Sequence, residues 1–100
     1  MTDKLRNEQM DMLIQAILSL KTPDDCSAFL EDLCTVSELK RMEQRFTVAR
    51  MLTDGMQYAD IVGKTGASTA TISRVNRALM YGADGYQKVI KKIKEQKNNP

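Results

Sequence analysis

The strongest constraint on this chain is its punctuation. Apolar residues recur at intervals of three and four, and the runs are broken at Thr22-Pro23, Thr35-Val36-Ser37-Glu38, Asp54-Gly55, Thr65-Gly66-Ala67 and Gly82-Ala83-Asp84-Gly85. Such spacing puts apolar side chains on one face of a helix, whereas a half-buried strand needs strict alternation, which is hard to find anywhere here. The breaks therefore predict an all-α fold of about six short helices. In 100 residues they make one domain, spanning 1–100. A compact monomer of this size buries only about 60 to 70% of the surface that its unfolded chain exposes, so subunit association would help its stability.

Each break carries a local reason. The first helix, about Asp3 to Leu20, has Leu5, Met10, Leu13, Ile14, Ile17 and Leu18 on a broad apolar face that wants a partner. Thr22 is placed to cap a second helix running to about Cys34, with Pro23 at its first position and Asp24 and Asp25 complementing its dipole. Thr35 and Glu38 fit a capping box that opens a central helix from Val36 to Thr53. Along it Leu39, Met42, Phe46, Ala49 and Leu52 line one side, and Gly55 closes it. Shorter helices follow over Tyr58 to Lys64 and Ser68 to Tyr81. A last one, Tyr86 to about Lys97, has Val89, Ile90 and Ile93 on one side; the tail Asn98-Asn99-Pro100 is expected to fray.

Composition removes several chemistries. There is no His, so the commonest general base and zinc ligand are both missing, and an enzyme or a metal site is not expected. Cys26 and Cys34 are eight residues apart, unlike a C-x-x-C motif, and read as packed thiols. The seven Met read as core and interface filler rather than a cofactor box, and no cofactor is expected. No apolar stretch approaches the ~18 residues of a membrane span, and no leader pattern opens the chain; the expected place is the cytoplasm, off the membrane. Charge is uneven. Residues 1–50 hold seven Lys and Arg against nine Asp and Glu, while residues 51–100 hold eight against four, within a net of +2. That favours an anionic partner for the second half, nucleic acid first.

Residues 57–81 have the layout of a helix-turn-helix. Gly66 allows a backbone conformation that a Cβ would resist, Gly63 is expected to remove bulk where two helices meet, and Ser68 can cap the second helix. Ile61, Val62, Ala67, Ile72 and Val75 are the expected contacts between the pair. On the helical wheel Ile72, Val75 and Leu79 point inward, while Ala70, Ser73, Arg74 and Arg77 point outward, with Thr69 and Thr71 flanking. A small, hydroxylic, cationic, acid-free face suits the DNA major groove. Thr69, Ala70, Ser73 and Arg74 are thus the candidates nearest the bases, with Tyr58, Lys64, Asn76 and Arg77 near phosphates and Ser68 and Thr71 completing the expected DNA-binding set.

The segment Gly66-Ala67-Ser68-Thr69-Ala70-Thr71-Ile72-Ser73-Arg74 resembles the reading head of the tryptophan repressor superfamily, and Phe29 through Asp54-Gly55 resembles the helices before it. Thr71 to Leu79 with Tyr81-Gly82-Ala83-Asp84-Gly85-Tyr86 is similar to the YerC/YecD branch of trp-repressor-like proteins. The resemblance implies an intertwined all-helical homodimer that presents two helix-turn-helix units to a pseudo-palindromic double-stranded DNA site, as a transcriptional regulator. It also implies a ligand pocket at Thr35, Arg45 and Arg74. The glycine expected after the second arginine is Val75 here, a pocket serine is Ala78, and apolar positions become Asp32 and Cys34, so tryptophan is disfavoured and any small-molecule effector is unidentified. Without the ligand role, Arg45 reads as an exposed arginine near an acid. A rival function from another class is a helical dimeric adaptor that keeps the fold without strong DNA affinity, for which the modest net charge is the support.

Overall fold

A computed structural model of the chain describes residues 1–98, and among them it holds six helices and no strand. The helices begin where local side-chain chemistry satisfies their free N–H groups. In α1 (Glu8–Leu18) the Asn7 side chain accepts from the Met10 N–H at 2.8 Å, so the helix starts five residues later than expected. A short polar cap prevails there over the apolar periodicity that reaches back to Leu5. In α2 (Pro23–Leu33) Thr22 Oγ1 accepts from the Asp25 N–H at 3.1 Å and Pro23 occupies the first turn. Before α3 (Val36–Thr53) the expected capping box is complete. The Glu38 N–H donates to Thr35 Oγ1 at 3.1 Å, and the Thr35 N–H donates to Glu38 Oε1 at 2.8 Å.

Three helices complete the chain: α4 (Tyr58–Thr65), α5 (Thr69–Tyr81) and α6 (Gly85–Asn98). Asn98 thus ends a helix, while Asn99 and Pro100 lie outside the described residues. Two compact units divide at the first turn of α3, Met1–Leu39 and the residues from Lys40 onward. In the first unit no residue is buried, and Met12, Ile14, Ile17 and Leu18 are all exposed. The second unit contains the core: Val48 and Ala49 of α3, Ile61 of α4, Ala67 of the turn, Ile72, Val75 and Leu79 of α5, and Ile90 of α6. Phe46, Met51, Leu52, Met56 and Tyr86 pack around it.

Four details of this core depart from the pattern in the sequence. Val48 is fully buried although it lies off the stripe through Phe46, Ala49 and Leu52, because partners cover more than one side of α3. Met42, on that stripe, is exposed. Val62 is exposed too, since the turn that buries Ile61 carries its neighbour about 100° around the axis. Val89 likewise stays open beside buried Ile90. It lines an apolar groove with Phe46, Ala78 and Tyr86, whose aromatic rings stand 6.5 Å apart.

The glycines divide in the same way. A Cβ on Gly63 would meet open space, so this residue makes no room for a neighbouring helix. The crowded glycine is Gly82, at the end of its own helix. Its N–H donates to the Ala78 carbonyl at 2.9 Å to end α5, and a Cβ there would run into that carbonyl. Gly82→Ala is therefore expected to cost at least about 1 kcal/mol, a fall in Tm on the order of 4–8 °C, whereas Gly63→Ala should leave Tm unchanged or raise it. Thermal melts followed by circular dichroism check both, and equal losses would rule out the carbonyl contact as the cause of the difference between the two glycines.

Beyond the core, Lys94 Nζ of α6 donates to Asp54 Oδ1 at 2.9 Å, just past the end of α3. That hydrogen bond, then the ammonium charge, then Arg50, hold the Asp54 carboxyl below its ordinary pKa. A folded-state value below the unfolded one gives stability that is present at neutral pH and lost as pH falls through the folded value. Carbon-detected NMR should show Asp54 titrating below an ordinary aspartate, and Lys94→Met should move the midpoint upward. An unmoved midpoint would show that the pair does not persist in solution.

Candidate nucleic-acid interface

The angle between α4 and α5 is set by a turn of three residues, Gly66 to Ser68. Gly66 sits at φ 72°, a left-handed conformation that costs a glycine little, and its N–H donates to the Val62 carbonyl at 2.9 Å. The Thr65 hydroxyl then locks the turn from both sides. It donates to the Ile61 carbonyl at 2.7 Å and accepts from the Ala67 N–H at 3.1 Å. The Gln44 amide of α3 donates to the Thr65 carbonyl at 3.3 Å and ties the turn to the scaffold. Sequence reasoning did not single out Thr65 or Gln44; a threonine four residues past a helical carbonyl was the available signal.

Helix α5 then leaves the turn with its N-terminus satisfied. Ser68 Oγ accepts from the Thr71 N–H at 3.1 Å and lies 3.1 Å from the Thr71 hydroxyl. With Ile72, Val75 and Leu79 committed to the core, the opposite side of the helix is open. Thr69, Ala70, Ser73, Arg74 and Arg77 are exposed, and Thr71 is half-buried beside its cap. Ala70, Ser73, Arg74 and Arg77 together line a shallow depression of about 250 Å³. Neither arginine forms an ion pair among the described residues, and no acid lies on α5, so this face presents unneutralised positive charge.

The expected phosphate contacts are more scattered. Tyr58 opens α4 and is 37% exposed. Lys64 is exposed near the turn, on a notch between α3 and α4. Asn76 is half-buried. Its amide lies 3.8 Å from Met80 Sδ, and it borders a groove of about 750 Å³ with Leu52, Leu79, Ile90 and Lys91. The residues implied for a ligand pocket are each described by their own element. Thr35 spends its hydroxyl on the α3 cap, Arg45 is half-buried on α3 rather than exposed, and Arg74 belongs to the depression on α5. Val75, where the resemblance implies glycine, is 2% exposed in the core.

Among the described residues no group of three His, Cys, Asp or Glu could hold a metal ion, and no helix is long and apolar enough to cross a membrane. Both cysteines are free thiols, half-buried.

Known proteins share this arrangement. The profile of the Trp repressor protein family matches residues 8–94. YerC, an uncharacterized protein of Bacillus subtilis (strain 168), is 50% identical over 93 residues, which is 93% of this chain and 89% of that one. A crystal structure of a TrpR-like protein from Eubacterium eligens ATCC 27750 superposes with a TM-score of 0.89 at 52% identity, covering 92% of this chain and 95% of the other. A candidate Trp repressor from Staphylococcus aureus gives 0.89 at 44% identity, covering 92% of each chain. A family match that takes in α1 to α6, together with the buried inner and open outer faces of α5, places this chain in the Trp repressor family.

Proposed function

We propose that the protein is a sequence-specific DNA-binding regulator of the cytoplasm, acting as a homodimer that sets one α5 in each of two successive major grooves. The observation that carries this reading is the outer face of α5. Ala70 and Ser73 are small enough for close approach, Thr69 adds a hydroxyl and a methyl, and Arg74 and Arg77 are free of acidic partners among the described residues. Such side chains suit base edges and phosphates, and the core beneath holds their helix rigid. Lys64 and Tyr58 would take backbone phosphates from α4. Asn76, which also borders the groove with Leu79 and Ile90, would add a further phosphate contact.

The dimer is supported by the first unit. Ile17 is 51% and Leu18 75% exposed on an 11-residue helix with no buried residue, more apolar surface than a solvated helix tolerates. A second copy would cover it. Ile17→Asp is therefore expected to shift the protein from dimer to monomer in sedimentation velocity; a dimer that persists unchanged would remove α1 from the interface.

Two-fold symmetry sets half-site centres about 34–36 Å apart, one helical turn. Selection from random duplex DNA should enrich a pseudo-palindrome with that spacing. Arg74→Ala and Arg77→Ala should each cost about 1–3 kcal/mol of affinity where they touch a base, and flatten the salt dependence where they touch phosphate. If no palindrome emerges and every duplex binds alike at about 10⁻⁴ to 10⁻⁶ M, the adaptor reading takes over, and partner binding should then survive both arginine substitutions.

A further inference from the structure

The notch between α3 and α4 has no part in the fold's core or in the base-facing side of α5. It measures about 360 Å³ and is lined by Lys40, Glu43, Gln44 and Thr47 of α3 with Lys64 and Thr65 of α4. Its polar groups are already ordered. Gln44 donates to the Thr65 carbonyl and Thr47 to the Glu43 carbonyl at 2.9 Å, which fixes the α3 wall against the turn. Lys40 stands one helical turn before Gln44 on the same face of α3, and Lys64 stands opposite, so two ammonium groups border one opening. Lys64 has no ion pair among the described residues. Lys40 has a weak one, 3.5 Å from Glu43 with both side chains largely in water.

From these residues the geometry points to a backbone-phosphate site: the Lys40–Lys64 notch clasps the DNA strand that flanks each half-site. This rests on the DNA-binding reading and extends it to α3, outside the helix-turn-helix. Thr65, on the notch, precedes the α5 cap Ser68 by three residues, a span of at most about 11 Å. The major groove is about 12 Å wide and walled by phosphates, so a notch that opens beside the entering end of α5 is within reach of a wall strand. A phosphate suits two ammonium groups there, since every side chain that lines the opening is polar or charged and the two lysines act as point charges. Glu43 is the opposing element. In the free protein it holds Lys40, and an arriving phosphate must displace it.

The pair gives substitutions of opposite sign. On the duplex enriched by selection, fluorescence anisotropy over a range of salt concentrations should find Lys40→Ala bound roughly threefold to tenfold more weakly. Its logarithmic salt slope should be shallower by about 0.9 per protomer. Its preference for the selected over a scrambled duplex should not change, because phosphates carry no sequence information. Lys40→Arg should keep the slope, and Glu43→Gln should bind more tightly than the unmodified protein. Circular dichroism melts should be alike for all three, given the exposure of these side chains. If Lys40→Ala keeps both affinity and slope while Arg77→Ala weakens binding, the notch is not a phosphate site and the DNA reading stands. If the unmodified protein itself does not distinguish the selected from the scrambled duplex, both readings fall together.

Discussion

The placement of α5 depends on the packing of Ile61, Ile72 and Val75 against the Val48–Ala49 step of α3. All five are buried, and Ala49 and Ala67 are small enough to let three helices approach one another within a short stretch of chain. Fully burying an aliphatic side chain of this size is worth about 1.5–3 kcal/mol, so this cluster outweighs any single hydrogen bond in the turn. Its consequence is directional. Once Ile72, Val75 and Leu79 are committed inward at intervals of three and four, helical geometry leaves Ala70, Ser73, Arg74 and Arg77 outward. The face offered to a partner is the complement of the face used for stability. The hydrogen bonds of Thr65 and Gly66 then set where that helix begins rather than how firmly it is held.

Most of the fold was legible because helix ends are local events. Thr22, Thr35 with Glu38, and Ser68 each make the cap hydrogen bond that their position in the sequence suggested. Family membership was legible from the segment Gly66 to Arg74 and the helices before it, and the profile match bears it out. What was not legible depends on the third dimension. Periodicity names a favourable face of α3, but Val48 becomes core because partners cover more than one of its sides. Gly63 reads as a contact glycine, and only coordinates reveal open space around it, while Gly82, which looked like part of a plain break, carries the close approach. The α5 face was readable residue by residue, as its wheel is fixed by the inward stripe.

The two units are stabilised by different means. Residues from Lys40 onward hold every buried side chain, whereas Met1–Leu39 holds none and leaves Leu33 and Val36 exposed along with the apolar residues of α1. Ordering a backbone costs about 1–2 kcal/mol per residue, and well-formed caps return only about 1 kcal/mol each. Capping therefore explains where α1 and α2 begin but not why they stay folded. Burial against another chain, as the proposed dimer would supply it, is a contribution of the right size, and this is the physical support for that proposal.

Val75 bears on how such a protein would be controlled. In the arrangement that the family resemblance implies, a glycine beside the second arginine leaves room for a ligand. Here the branched side chain at that position is an integral part of the core, packed in the cluster that includes Ile72 and Leu79. A ligand could reclaim the volume only by unpacking this cluster, and removing a buried aliphatic group costs on the order of 1–3 kcal/mol before any new contact is made. The hydroxyl of Thr35 is likewise engaged, in a cap. The core and the Thr65 hydrogen bonds already hold α5 in the free chain. If the protein binds DNA as proposed, its control is expected to act on occupancy, through protein concentration, dimerisation and salt, rather than on the orientation of α5.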